Sequence, residues 1–203
     1  MDATQHWDDV YAGKGDDELS WTEDSPRHSL ELLLDGGRSP RRVIDVGAGR
    51  STLVDQLLTL GAEQVSLLDL SPSALQQVTE RLGAADRPRV ETVVADVTTW
   101  EPPTTWDAWH DRAVLHFLTE PERRQQYVAT ASRAVAAGGV AVIGVFAPDG
   151  PESCSGLPVA RASADDLVRL FGDGWTLEVA GREVHHTPWA AAQPFTWVTL
   201  RRR

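Results

Sequence analysis

Three aspartates stand where apolar runs end: Asp45 in VIDVGAG, Asp69 in LLDLSPS and Asp96 in VVADVTTW. Gly47-Ala48-Gly49 follows the first of them, and glycines there let the backbone come close to a ligand. Asp69 lies about twenty residues beyond the glycines, the spacing at which a carboxylate accepts both hydroxyls of a ribose. An acid at position 96 can accept a hydrogen bond from the exocyclic amine of an adenine. Together the three carboxylates favour a ligand that carries positive charge. The G-x-G alone serves a dinucleotide, a flavin or another adenosine-containing cofactor. Thr52 occupies the place of the third glycine in the dinucleotide pattern G-x-G-x-x-G.

A second group of reactive side chains, His110-Asp111-Arg112, sits just past the apolar end of TWDAWHDRAV. Three ionisable residues in a row there suggest a pocket or an ion pair. Arg112 has an equally simple structural use, bonding loop carbonyls or an acid near the amino terminus. His110 and His116 are candidates for a general base, because free imidazole titrates near neutrality, although His116 lies on an apolar turn that suits a packed ring. His185 and His186 are adjacent in a strand, so they point to opposite faces and cannot chelate one ion together. No other spacing resembles a metal site, and none is expected. Cys154, the one cysteine, lies in a loop where it is expected to line a pocket or to be incidental.

Alternating elements are needed to bring these residues together. RRVIDVG, QVSLLDL, RVETVVAD, TWDAWHDRAV and VAVIGVFA read as strands. The stretches between them, STLVDQLLTLG, SALQQVTERLG and PERRQQYVATASRAVAAGG, read as helices. Ser71-Pro72 caps the second of these, and Ser163 with Asp166 forms a capping box for a later helix. PDGPESCSGLPV is expected to be a loop. WTLEVAGREVHH and PFTWVTLRR have no helix between them and are expected to pair antiparallel at one edge. The fold class is α/β, a doubly wound, mostly parallel sheet of about seven strands with an antiparallel C-terminal pair. Residues 41–203 form its core. Residues 1–40 form a helical arm in which Trp7, Val10 and Tyr11 recur at helical spacing, and Pro26 opens a helix that ends near Gly36. The arm and the loop between the last strands carry Trp7, Tyr11, Trp21, Trp189 and Phe195, placed to lie over the ligand end of the sheet. Trp175 and Trp197 read as core.

The chain has 203 residues, 41% hydrophobic and 24% charged, with a formal charge of −11. That length fits one domain with a substantial core. Acidic charge argues against a nucleic-acid partner, whose phosphates need cations, and Arg201-Arg202-Arg203 is too short to reverse it. No apolar run is long enough for a membrane span. The polar, acidic start is neither a secretory nor a transit signal, so a cytoplasmic location is expected.

VIDVGAGRSTL, LLDLSPSAL and VVADVTTW, followed by WDAWHDRAVLHFL and AAGGVAVIGVFAPDG, resemble in order the motifs of the class I S-adenosylmethionine-dependent methyltransferases, in particular a group of small bacterial members. WDDVYAGKGDDELSW is similar to the arm of lysine methyltransferase-like members, which folds over the cofactor through its tryptophans and tyrosine. The resemblance implies S-adenosylmethionine as cofactor. It places Asp45, Gly47, Ala48, Gly49 and Ser51 around the methionine portion, with Trp21 above. It gives Asp69 the ribose, Leu70 and Val97 the adenine ring, and Asp96 the adenine amine. His110, Asp111 and Arg112 then lie nearest the reacting centre. The implied acceptor is a small molecule, or else a protein lysine. A non-catalytic cofactor-binding module and an NAD-dependent oxidoreductase rank behind.

Overall fold

The computed structural model describes residues 3–23 and 25–203. The amino-terminal helix α1 (Ala3–Gly13) is followed by a short 3-10 turn and by α2 (Arg27–Leu34), with Pro26 immediately before its first residue. Then come β1 (Arg42–Val46), α3 (Leu53–Thr59), β2 (Gln64–Asp69), α4 (Pro72–Arg81), β3 (Val90–Val94) and β4 (Trp106–Arg112). The chain continues through α5 (Pro121–Ala134), β5 (Val135–Phe146), β6 (Ser153–Cys154), β7 (Leu157–Pro158), α6 (Ala164–Phe171), β8 (Trp175–His186) and β9 (Ala192–Arg202).

Seven strands form one sheet in the order β3-β2-β1-β4-β5-β9-β8. The first five are parallel, and β9 runs antiparallel to both β5 and β8. The expected α/β architecture and its C-terminal pair are both present. Alternation along the strands divides the core. Val43, Ala108, Val140 and Val142 face α2, α3 and α4, whereas Ile44, Trp109, Ala141 and Ile143 face α5 and α6. The chain winds outward from β1 to β3 and then returns to β4 beside β1. In open sheets that reversal leaves a crevice at the carboxyl ends of the strands.

Two boundaries differ from the sequence expectation. The long helix ends at Ala134, and VAAGG begins β5 because Val135 pairs with Trp106; the extra residues that follow bulge out of β5 before Val140 pairs with Ala108. Gly138, at φ +80°, lets the strand turn there. The stretch PDGPESCSGLPV is not plain loop: Ser153 and Cys154 pair with Pro158 and Leu157 in a two-stranded ribbon. The caps form as expected. Ser71 Oγ accepts the Ala74 N–H, and Ser163 and Asp166 bond reciprocally.

Candidate functional site

The loop after β1 is clamped from both sides. Gly47 has φ +66°, and its N–H donates to the Leu68 carbonyl at 2.7 Å. A Cβ there would overlap the Val114 side chain. Gly49 has φ +50°, and its N–H donates to Asp69 Oδ2 at 2.8 Å. A Cβ on Gly49 would press into the Tyr11 hydroxyl and come within 2.9 Å of Tyr11 Cζ. Thr52 needs no glycine freedom, because it sits at φ −88° just before α3. Ser51 Oγ accepts the Leu53 N–H there at 3.1 Å.

Two cavities open at this loop, of about 200 and about 130 Å3. They share Gly47, Tyr11, Trp21 and Arg112 as walls. The larger takes in Asp69, Leu70, Asp96 and Val97 on the β2–β3 side, and Phe117, Phe146, Cys154, Gln193 and Phe195 on the other. The smaller takes in Asp45, Ala48, Ser51, Ser29, Glu23 and His110. Gly49 lines neither, being covered by Tyr11.

The three acids have distinct environments. Asp69 accepts the Gly49 and Ser71 N–H groups, each at 2.8 Å. Its burial outweighs those bonds and pushes its carboxyl up to about 6. Asp45 is 3% exposed; its Oδ1 lies 2.7 Å from His110 Nδ1, and its Oδ2 has no hydrogen-bond partner. A buried carboxylate oxygen left bare is costly, so this atom calls for a donor from the cavity. Asp96 caps its own turn by accepting the Thr98 N–H and hydroxyl on Oδ1, and its Oδ2 pairs with Arg123 at 2.7 Å. The Val97 N–H makes no backbone hydrogen bond among the described residues.

At the end of β4 the three ionisable residues separate. His110 is buried with both ring nitrogens engaged, by Asp45 and by Ser29 Oγ at 2.9 Å. Asp111 does not reach either cavity. It is fully buried on the α5 face, where it accepts the Val114 and Leu115 N–H groups and the Tyr127 hydroxyl, and burial pushes it up to about 6. Arg112 does line both cavities. Its Nη1 donates to the Trp21 carbonyl at 2.8 Å, and its Nη2 lies 3.1 Å from Glu23 Oε1. His116 is packed between Phe117 and Phe146, and burial drives it down to about 3. His185 is buried against the Ser20 carbonyl while His186 is exposed.

The arm covers this end of the sheet. Asp8 accepts from Ser71 Oγ at 2.7 Å and from the Ser73 N–H at 3.2 Å, while Arg50 donates to the Lys14 carbonyl at 3.0 Å. Trp7 meets Trp21 and Phe117 edge to face, with centroids 5.9 and 5.0 Å apart. Phe195 joins the wall, but Trp189 stands away from it, 57% exposed. Trp175 and Trp197 are core. Sequence reasoning missed Ser29, Arg123, Val114 and Gln193. Ser29 left a signal, since it is the polar residue on a buried helical stripe with Leu32 and Leu33.

Residues 43–139 match the family described as a methyltransferase domain. No curated protein matches the sequence. Among solved structures, the chain is similar to the Burkholderia thailandensis 1,6-didemethyltoxoflavin-N1-methyltransferase with bound 1,6-didemethyltoxoflavin and S-adenosylhomocysteine. That pair has 24% identity and a TM-score of 0.76, over 98% of this chain and 88% of the other. N-methyltransferase NodS from Bradyrhizobium japonicum, in complex with S-adenosylhomocysteine, is 15% identical with a TM-score of 0.76, over 99% of each chain. The glycopeptide N-methyltransferase MtfA, complexed with S-adenosylmethionine, is 16% identical with a TM-score of 0.69, over 91% and 97%. The β1, β2 and β4 ends that carry Asp45, Asp69 and Arg112 lie within the matched stretch, and the chain as a whole has the fold of these S-adenosylmethionine-dependent methyltransferases.

Proposed function

We propose that this chain moves a methyl group from S-adenosylmethionine to a small-molecule acceptor, and that the two cavities hold cofactor and acceptor. The observation that carries the reading is the bare, buried Oδ2 of Asp45 in one cavity, beside a second cavity that Asp69 closes at the end of β2. Asp45 receives the ammonium of the methionine portion there, steadied by His110 and Ser29. Asp69 accepts the ribose hydroxyls, and its ionised form is the one that does so. Val97 offers its free N–H to the adenine ring, Leu70 flanks the ring, and Asp96 takes the exocyclic amine on lone pairs that Thr98 and Arg123 leave open. Gly47 lets the backbone lie against the ligand, with Ala48 and Ser51 on the same wall, Gly49 shaping the loop beneath Tyr11, and Trp21 above.

When bound, the cofactor supplies an electrophilic methyl group on a sulfonium, and the chain's own task is alignment and exclusion of water. Alignment alone is worth on the order of 7 to 11 kcal/mol. Arg112 borders both cavities and is the residue of the β4 end that can touch the acceptor. His110 and Asp111 position others: His110 holds Asp45, and Asp111 holds the turn that carries Val114 and Phe117. The small acceptor is supported by the modest, arm-covered cavity and by fold relatives whose names state toxoflavin-type and glycopeptide substrates. We read residues 1–203 as a single domain with residues 1–40 as its covering arm. The charge of −11 supports the absence of nucleic-acid partners; a cytoplasmic, bacterial setting rests on the resemblance to small bacterial members, and no helix among the described residues is long and apolar enough to cross a membrane.

Thermal unfolding tests the cofactor reading. S-adenosylhomocysteine at 100 times its dissociation constant stabilises by about 2.7 kcal/mol, a midpoint rise of roughly 5 to 10 °C for a domain of this size. The rise is expected to vanish in Asp69→Ala. A rise with NAD instead, or with neither ligand, refutes the reading.

A further inference from the structure

The far end of the larger cavity is chemically one-sided. Its walls are aromatic: Trp7, Trp21, Phe117, Phe146 and Phe195. Trp7 meets Phe117 edge to face, as Phe146 meets Phe195 at 5.0 Å, so ring faces and edges line a slot suited to a flat guest. Such walls also attract ammonium groups. Here that option is opposed by Arg112, whose guanidinium lies over the Phe195 ring at 5.3 Å with its side chain 11% exposed. Glu23 answers it, 3.1 Å from Nη2, but from the smaller cavity; among the described residues no carboxylate lines this end of the larger one, because Asp69 belongs to the opposite end and Asp96 is paired with Arg123.

Arg112 is also under-satisfied. Nη1 is committed to the Trp21 carbonyl, but Nε has no partner, and Nη2 meets Glu23 without hydrogen-bond geometry. Arginine's fork is built to bind a carbonyl or an oxyanion. Gln193 lines the same end, and its amide makes no hydrogen bond among the described residues. Among the described residues no base lines this end. Its ionisable groups are Arg112, Tyr11 and Cys154, and burial pushes both the tyrosine hydroxyl and the thiol up. His110 is tied between Asp45 and Ser29, and His116 does not border the cavity.

Resting on the methyltransferase reading, we infer that the acceptor is a flat aromatic or heteroaromatic molecule, neutral or anionic, with a carbonyl or oxyanion turned to Arg112 and Gln193. It is methylated on a nitrogen or sulfur that already carries a free lone pair. That lone pair forms the new bond to carbon while the carbon–sulfonium bond breaks, its electrons remaining on the departing thioether. Where the acceptor atom bore a proton, the methylated product loses it to water, with no protein base taking part.

The test measures binding by calorimetry in the presence of saturating S-adenosylhomocysteine, then methylation with the full cofactor. Lumazine and 2-thiouracil serve as flat carbonyl-bearing probes, spermidine and a lysine-containing peptide as aliphatic amines, and catechol as a phenol. The flat probes are expected to bind and to accept methyl, with the aliphatic amines and catechol at least tenfold poorer. Arg112→Lys keeps the charge and loses the fork, and is expected to weaken the flat probes about tenfold or more. Gln193→Leu is expected to weaken them a few-fold. In Gln193→Leu the thermal shift with S-adenosylhomocysteine stays intact, and in Arg112→Lys the ligand-free unfolding transition stays cooperative, which excludes misfolding as the cause. Tighter binding of spermidine or the peptide overturns the inference. So does failure of every flat probe, or their indifference to both variants. Absence of S-adenosylhomocysteine binding in the unmodified protein instead sinks the methyltransferase reading itself.

Discussion

Replacing Gly49 by alanine tests whether the arm and the cofactor loop are locked together. The new Cβ would lie 2.9 Å from Tyr11 Cζ and 3.3 Å from Cε1, and closer still to the hydroxyl. Forcing a methyl into a packed contact costs about 1–3 kcal/mol. Holding alanine at φ +50° adds about 1–2 kcal/mol. Reduced freedom of the unfolded chain returns about 0.4–1 kcal/mol. The balance is a loss of about 3 kcal/mol, or roughly 6 to 12 °C in midpoint. The decisive assay is a double-mutant cycle by urea unfolding, because the overlap term belongs to the pair. In a Tyr11→Ala background the same Gly49→Ala change retains only its backbone cost, so a coupling of about 1–3 kcal/mol is expected. Tyr11→Phe removes the hydroxyl but leaves Cζ and is expected to rescue only part of it. Additivity within about 0.5 kcal/mol would refute the interlock.

Asp69 gives a pH signature. Its folded value of about 6 stands above the ordinary 3.8, so the ligand-free fold binds the proton more tightly than the unfolded chain does. That contribution to stability is fully present below about pH 4 and is lost as the pH rises through about 6, an effect of about 3 kcal/mol. Ribose hydroxyls need the ionised form, so S-adenosylhomocysteine is expected to bind about tenfold more weakly at pH 5 than at pH 8; an affinity flat across that range in calorimetry contradicts the assignment. Asp45→Asn is expected to weaken S-adenosylhomocysteine by 10-fold or more while leaving methylthioadenosine, which lacks the amino acid, unchanged; equal losses for both ligands would show mere distortion. Tyr127→Phe strips a donor from Asp111 and an acceptor from the Trp109 indole N–H, and a loss of about 1–3 kcal/mol is expected by urea unfolding.

The elements were legible because their signals are local. Apolar alternation marked the strands, and Ser71 and Ser163 marked helix starts within a few residues of the atoms they cap. The cofactor acids were legible for the same reason, since each stands within two residues of the end of its own strand. The helix that ran too far shows the opposite case: Ala136 and Ala137 favour helix in isolation, and only the pairing of Val135 with Trp106 on another strand overrides that preference. The duties of the β4 triplet were equally hidden. Position gave three neighbouring ionisable residues, but His110 bonds Ser29 eighty-one residues away, Arg112 bonds Trp21 ninety-one away, and Asp111 turns to the opposite face. Arg123 left no sequence trace because its partner, Asp96, is on a different element.

The walls of the larger cavity come from two kinds of sequence. Residues Val46 to Arg123 supply the half beside Asp69 and Asp96, together with Arg112 and Phe117 of the far end, inside the stretch that matches the methyltransferase-domain model. Trp7, Trp21, Cys154, Gln193 and Phe195 come from the two ends of the chain, outside that stretch. Mutations in the terminal segments can therefore redraw one wall without disturbing the strands that set the other. Chains that share the central strands thus need not share a substrate.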